Sequence, residues 1–205
     1  MRKLIVSIFV VVICLILFLV PKDIKRTVQF VVSKPRVLII QPLGDFNRGL
    51  AKKNLANLKK NFPSSRLLQN INLPSVAYYQ PRDRYRADSI LNYYRYRYGV
   101  DTILILMTHR DISVTKKLIK DWGIMGLAHS PGNVCVVSTY RLDKSKLEEQ
   151  LYKVSIHELG HTQGLPHCPE KTCYMRDASG ENPLDEEKGF CSSCKKVMEN
   201  KGWTI

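Results

Sequence analysis

The sequence predicts an α/β fold: a mixed sheet layer with helices, a small irregular C-terminal part, and an N-terminal transmembrane helix outside the domain. Three observations predict it. Short apolar runs alternate with helix-period segments between residues 37 and 165. Four clustered cysteines follow, in a stretch with few large apolar side chains. An uncharged run, residues 4–20, precedes everything else. A chain of 205 residues, 44% hydrophobic and 24% charged, has room for one domain of ordinary size plus an anchor. It shows no internal repeat and no low-complexity tract.

Residues 4–20 sit at the lower length limit for crossing a bilayer, and Arg2 and Lys3 precede them. A cleaved signal peptide is the alternative, but Phe18-Leu19-Val20 is too bulky for a cleavage site. The expectation is therefore a single-pass anchor over 1–21, a basic stalk over 22–35 and a folded domain over 36–205, with a C-terminal subdomain from about 165. The short tail before the anchor points to an extracytoplasmic domain. Lys22, Lys25, Arg26, Lys34 and Arg36 argue for retention inside.

Within the domain, Val37-Leu38-Ile39-Ile40 after Pro35 reads as a buried strand. Asp45 can cap a helix running to about Phe62, with Phe46, Leu50, Leu55, Leu58 and Phe62 near one side. Residues 72–79 read as a strand and 84–98 as a helix with Ala87, Ile90, Leu91 and Tyr94 inward. Val100 to Met107 reads as a central strand. Gly123 to Ala128 and Val134 to Ser138 are two more, joined by a turn at Ser130-Pro131-Gly132-Asn133. A helix then starts at a capping box, Ser145-x-x-Glu148, with Leu147, Leu151, Val154 and Ile156 toward the core.

That helix carries the most informative stretch of the chain, His157-Glu158-Leu159-Gly160-His161-Thr162-Gln163-Gly164-Leu165-Pro166-His167. Histidines four apart share one helix face, so two imidazoles can grip one metal ion. Gly164 lets the chain leave the helix and swing His167 to the same ion. Glu158, beside a ligand, can take a proton from a water held there. Beyond it, Cys168, Cys173, Cys191 and Cys194 read C-x4-C…C-x2-C, which suits a closed structural zinc site. Two disulfides, unrelated reduced thiols, or a redox pair at Cys191 and Cys194 are the alternatives. Met175 follows Cys173 by two residues; a Met in a turn beneath the catalytic zinc is a metzincin feature.

Taken together these residues resemble the archaemetzincins. The similar parts are His157 to Gly164, His167, Cys168, Cys173, Met175, and Cys191 with Cys194; the gap from Met175 to Cys191 is slightly shorter than the family's. Upstream, Arg84-Tyr85-Arg86-Ala87 and the run from Gly126-Leu127-Ala128 to Val136-Val137-Ser138 are also similar. The resemblance covers roughly residues 36 to 198. It implies a metzincin-like twisted sheet and a zinc metallopeptidase acting on a peptide or protein. It also implies two zinc ions, one catalytic on the three histidines and one structural on the four cysteines. The membrane anchor departs from the family.

The net charge of +14 and the run Tyr93-Tyr94-Arg95-Tyr96-Arg97-Tyr98 leave open a non-catalytic zinc module that binds nucleic acid or a membrane partner. Glu158 argues against it, because a binding module has no use for a proton acceptor beside its ligands. No nucleic-acid partner is expected. A second enzyme reading places Cys168, rather than His167, on the catalytic metal.

Overall fold

The computed structural model describes residues 37–205. Its strands and helices run β1 (Val37–Pro42), α1 (Arg48–Lys59), β2 (Arg66–Leu67), β3 (Tyr78–Tyr79), β4 (Arg84–Arg86), α2 (Ala87–Tyr94), β5 (Thr102–Thr108), β6 (Ile112–Lys116), β7 (Ile119–Ile124), β8 (Gly126–Ala128), β9 (Val134–Ser138), α3 (Leu147–Thr162) and α4 (Ser192–Asn200). A five-stranded sheet has the order β2-β1-β5-β9-β8. Its first four strands are parallel and β8 is an antiparallel edge. A four-stranded sheet, β3-β4-β6-β7, is built from strands interleaved in sequence with those of the first.

Period-two alternation in β1, β5 and β9 divides the core into two halves. Leu38, Ile40, Ile103, Ile105, Met107, Cys135 and Val137 face α1, α3 and the C-terminal segment. Ile39, Leu104, Leu106, Val134 and Val136 face α2, which offers Ala87, Ile90, Leu91 and Tyr94. Both faces of the sheet are covered, which is why its parallel strands are apolar throughout. Leu151 on α3 is completely buried. Leu151→Ala is expected to cost about 2–5 kcal/mol, read as a lower urea midpoint for the metal-loaded protein.

The mixed α/β expectation agrees with these layers; the transmembrane helix within it is corrected. Among the described residues no helix is long and apolar enough to cross a membrane. The longest, α3, has 16 residues and carries Glu148, Glu149 and Lys153, where a span needs about 20 apolar ones. Residues 4–20 and the stalk 22–35 lie outside the described residues.

Several local expectations shift for identifiable reasons. Asn47, not Asp45, caps α1, its side chain accepting from Leu50 N at 3.0 Å. Asp45 instead sits 3.3 Å from His109 Nε2. The capping box at Ser145 does not form. Asp143 takes both the N–H and the hydroxyl of Ser145, each at 2.8 Å, and a 3-10 turn over Lys144–Lys146 leads into α3. Glu148 is then left to Lys53, 2.8 Å away. Of the strand read over 72–79 only Tyr78–Tyr79 are strand; a 3-10 turn over Ser75–Ala77 follows Pro74. Arg84–Arg86 are strand rather than helix, pairing with β3 and β6. The run Gly123 to Ala128 breaks at Met125: β7 joins one sheet and β8 the other.

Residues beyond α3 have little regular structure before α4, yet they share the main core. Met175, Leu184, Cys194, Met198 and Trp203 belong to the cluster on the α3 side. Trp203 meets Phe62 edge-on, with centroids 4.1 Å apart.

Candidate metal centre and cleft

His157 and His161 project from one face of α3, and their Nε2 atoms lie 3.0 Å apart. The helix ends at Thr162, and Gly164 takes φ +89°. That left-handed residue reverses the chain, with Gly164 N donating to His161 O at 2.8 Å and Leu165 N to Gly160 O at 3.0 Å. His167 is thereby returned to the other two rings, with centroids 5.4 Å from His157 and 4.9 Å from His161. One donor atom from each of the three rings lies within 4.8 Å of the others.

The ring nitrogens facing away from this point are already used. His157 Nδ1–H donates to Tyr174 O and His161 Nδ1–H to Leu165 O, both at 2.7 Å, since a carbonyl can only accept. Both Nε2 atoms therefore present lone pairs to each other. Facing lone pairs 3.0 Å apart repel unless a cation lies between them. Tetrahedral zinc with about 2.05 Å Zn–N bonds sets its nitrogens about 3.3 Å apart, close to this spacing. Burial, and next the facing His161 ring, hold His157 down to about 3; burial also lowers His161. The rings stay neutral, as metal ligands must. The chemistry of this donor set fits zinc.

Glu158 faces the same cleft but belongs to a different environment. It is only 4% exposed, its Oε2 has no hydrogen-bond partner, and burial pushes its carboxyl up to about 8. A Cβ at Gly126 on β8 would collide with the Glu158 carboxylate, so the edge strand passes closely because it has a glycine there. Gly126→Ala is expected to displace that carboxylate and to destabilise the fold by about 1–3 kcal/mol, read as a lower urea midpoint, because the added methyl overpacks the contact.

Met175 is fully buried, and a Cβ at Gly160 on α3, between His157 and His161 in the chain, would strike its sulfur. Asp177 Oδ2 lies 3.6 Å from His167 Nδ1. Cys168, Cys173, Cys191 and Cys194 form a second group, each Sγ within 4.8 Å of the others. Cys168 Sγ and Cys191 Sγ are 3.7 Å apart, against about 3.8 Å for the edge of a tetrahedral Zn–S4 site. Cys191 caps α4; the amide of Cys194 is the main cause holding its thiol down to about 7. Cys168 thus joins the sulfurs, not the imidazoles. All eight site residues singled out by sequence, with Met175, come into these two neighbourhoods. Gly126, Gly160 and Asp177 were missed. Gly160, a glycine inside a helix, was the one with a readable signal.

The sequence profile of peptidase family M54 matches residues 49–200 of this chain. The chain belongs to that family. It is an archaemetzincin-family zinc metallopeptidase, a hydrolase whose substrates are peptides. The archaemetzincin of Halobacterium salinarum is 27% identical over 173 residues, covering 78% of this chain and 97% of that one. The archaemetzincin of Methanopyrus kandleri is 32% identical over 131 residues, covering 62% and 73%. Among solved structures, M. kandleri archaemetzincin covers 83% of this chain and 96% of its own, with TM-score 0.69 at 24% identity. Archaeoglobus fulgidus archaemetzincin, solved in complex with malonate, covers 78% and 99%, with TM-score 0.67 at 26% identity. At these identities the first carries the likeness of fold alone.

Proposed function

We propose that this M54 peptidase hydrolyses peptide bonds at the His157, His161 and His167 cluster, with Glu158 as general base. The observation that carries the reading is the pairing of two environments in one cleft: facing imidazole lone pairs, and a buried carboxylate with an idle oxygen. Zinc, when bound by the three histidines, would supply Lewis acidity to the scissile carbonyl and lower the pKa of a bound water to about 7. Glu158, in its ionised form, would take a proton at Oε2 from the attacking water and return it to the leaving amine. Tyr174 O and Leu165 O hold the two helix rings in the tautomer that leaves Nε2 open. Met175 packs against Gly160 and so supports the helix that carries His157 and His161. Edge strand β8 has one side without a partner strand and can receive an extended substrate by main-chain pairing. Cys168, Cys173, Cys191 and Cys194 would hold a second, structural zinc.

The test is a peptide-library digest by residues 36–205, with and without a zinc chelator. Cleavage that disappears with the chelator and returns with zinc supports the reading. Undiminished cleavage by zinc-free protein overturns it.

The raised Glu158 carboxyl makes a separate prediction for metal-free protein. Its proton is held more tightly in the folded chain than in the unfolded one, where carboxyls titrate near 4.3. Its contribution therefore favours the folded state at low pH and is lost as pH rises toward about 8. Relative to Glu158→Gln, the metal-free wild type is expected to lose on the order of 1 kcal/mol per pH unit from about pH 5 to 8. Urea unfolding of both proteins at several pH values reads the difference directly.

A further inference from the structure

The cleft at the imidazole cluster has a volume of about 590 Å³ and includes Val154, Leu184 and Glu187 among its walls. Val154 stands about one helical turn before His157 and Glu158, on the same face of α3. The segment 182–187 opposite is tied to that helix. Lys153 Nζ donates to Leu184 O at 2.7 Å, Asn182 Nδ2 to Gln150 Oε1 at 3.0 Å, and Gln150 Nε2 to Asp185 Oδ1 at 3.0 Å. The wall is therefore pre-formed, not assembled by a ligand.

Glu187 is only 3% exposed, and its Oε2 has no hydrogen-bond partner. The two cations that act on it are engaged elsewhere: Lys153 with Leu184 O and Glu149 Oε1, and Arg176 with Glu186 Oε2. Burial pushes the Glu187 carboxyl up to about 7, while Lys153 and Arg176 pull it down. A buried carboxyl oxygen without a donor costs free energy, and a donor brought by a ligand recovers it. Val154 and Leu184 line the same cleft as Glu187, which suits an aliphatic stem ending in a charged head.

We infer that Glu187 determines specificity, selecting a lysine or arginine side chain at one position flanking the scissile bond. The inference rests on the peptidase reading of the histidine site. The stem packs on Val154 and Leu184, and the ammonium or guanidinium donates to Glu187 Oε2. A substrate with methionine there fills the same space and leaves the carboxylate unpaired. Sites built around a buried polar group discriminate in this way.

The experiment digests a peptide mixture, prepared by cleavage after glutamate so that lysine and arginine stay internal, with the zinc-loaded protein. Mass spectrometry reads both residues at each new cut. Normalised to the abundance of each residue in the mixture, lysine and arginine should exceed methionine by roughly tenfold at one of the two positions, the scale of a charge-assisted hydrogen bond. Glu187→Gln should bring the ratio below about twofold, while peptides with methionine there are still cut. Cleavage without basic enrichment in the wild type, or enrichment unchanged in Glu187→Gln, overturns the inference and leaves the peptidase reading intact. Absence of any cleavage overturns both. Where Glu187→Gln fails to fold, the wild-type profile decides alone.

Discussion

Glu158→Gln is expected to retain its zinc and lose about a hundred- to ten-thousand-fold in kcat/KM. The substitution keeps the side chain's shape, so the packing against Gly126 and the α3 backbone stays as it is. It removes only the capacity to take and return a proton. The three imidazoles are untouched, and their outward nitrogens remain bonded to Tyr174 O and Leu165 O. Of the other carboxylates lining the cleft, Asp177, Glu181 and Glu187, only Asp177 pairs with an imidazole, at His167 Nδ1. Kinetics on one peptide substrate, with zinc measured by plasma mass spectrometry on the same sample, separate the outcomes. A variant that turns over near the wild-type rate with full zinc removes Glu158 from the mechanism. A variant that loses zinc as well assigns the residue a structural part that its idle Oε2 does not suggest.

Much of this site was legible in the sequence because helix periodicity fixes side-chain direction. His157 and His161 had to share a face once the segment was helical, and Gly164 marked where the chain could turn back. The spacing of the cysteines was readable for the same reason: short intervals constrain where sulfur atoms can go. The β6–β7 hairpin was not legible, since Ile112–Lys116 and Ile119–Ile124 are weakly patterned and largely half-buried or exposed. Nor was the split at Met125, where an apolar run changes sheet: Gly123 and Gly126 flank the break, but the apolar pattern reads through both. The close approach of Gly126 to Glu158 joins residues far apart in the chain, and no local pattern encodes it. The cap of α3 failed for a subtler reason. Ser145 and Glu148 have the right spacing, but Asp143 competes for the same N–H and hydroxyl and wins on proximity.

Cys191→Ser is expected to lower the zinc content from two ions to one and to loosen residues 168–191 while the sheet stays folded. Cys191 stands where the chain enters α4, its sulfur 3.7 Å from Cys168 Sγ, so it joins both ends of the irregular segment. Serine offers a hydroxyl that does not ionise near neutral pH, and three thiolates bind zinc more weakly than four. The expected loosening is local because Met175, Leu184, Met198 and Trp203 stay anchored in the core. Sheet amides on β1, β5 and β9 should keep their hydrogen-exchange protection, whereas amides near Cys173 and Gly189 should lose theirs. The effect should reach the catalytic side through one link, because Cys168 N donates to Met175 O at 2.7 Å and Met175 lies against Gly160. A moderate fall in activity with the first zinc still bound follows from that connection. Two ions per chain in the variant would show that the four sulfurs do not share a metal; one ion with unchanged exchange near Cys173 would show that the metal is not what orders this segment.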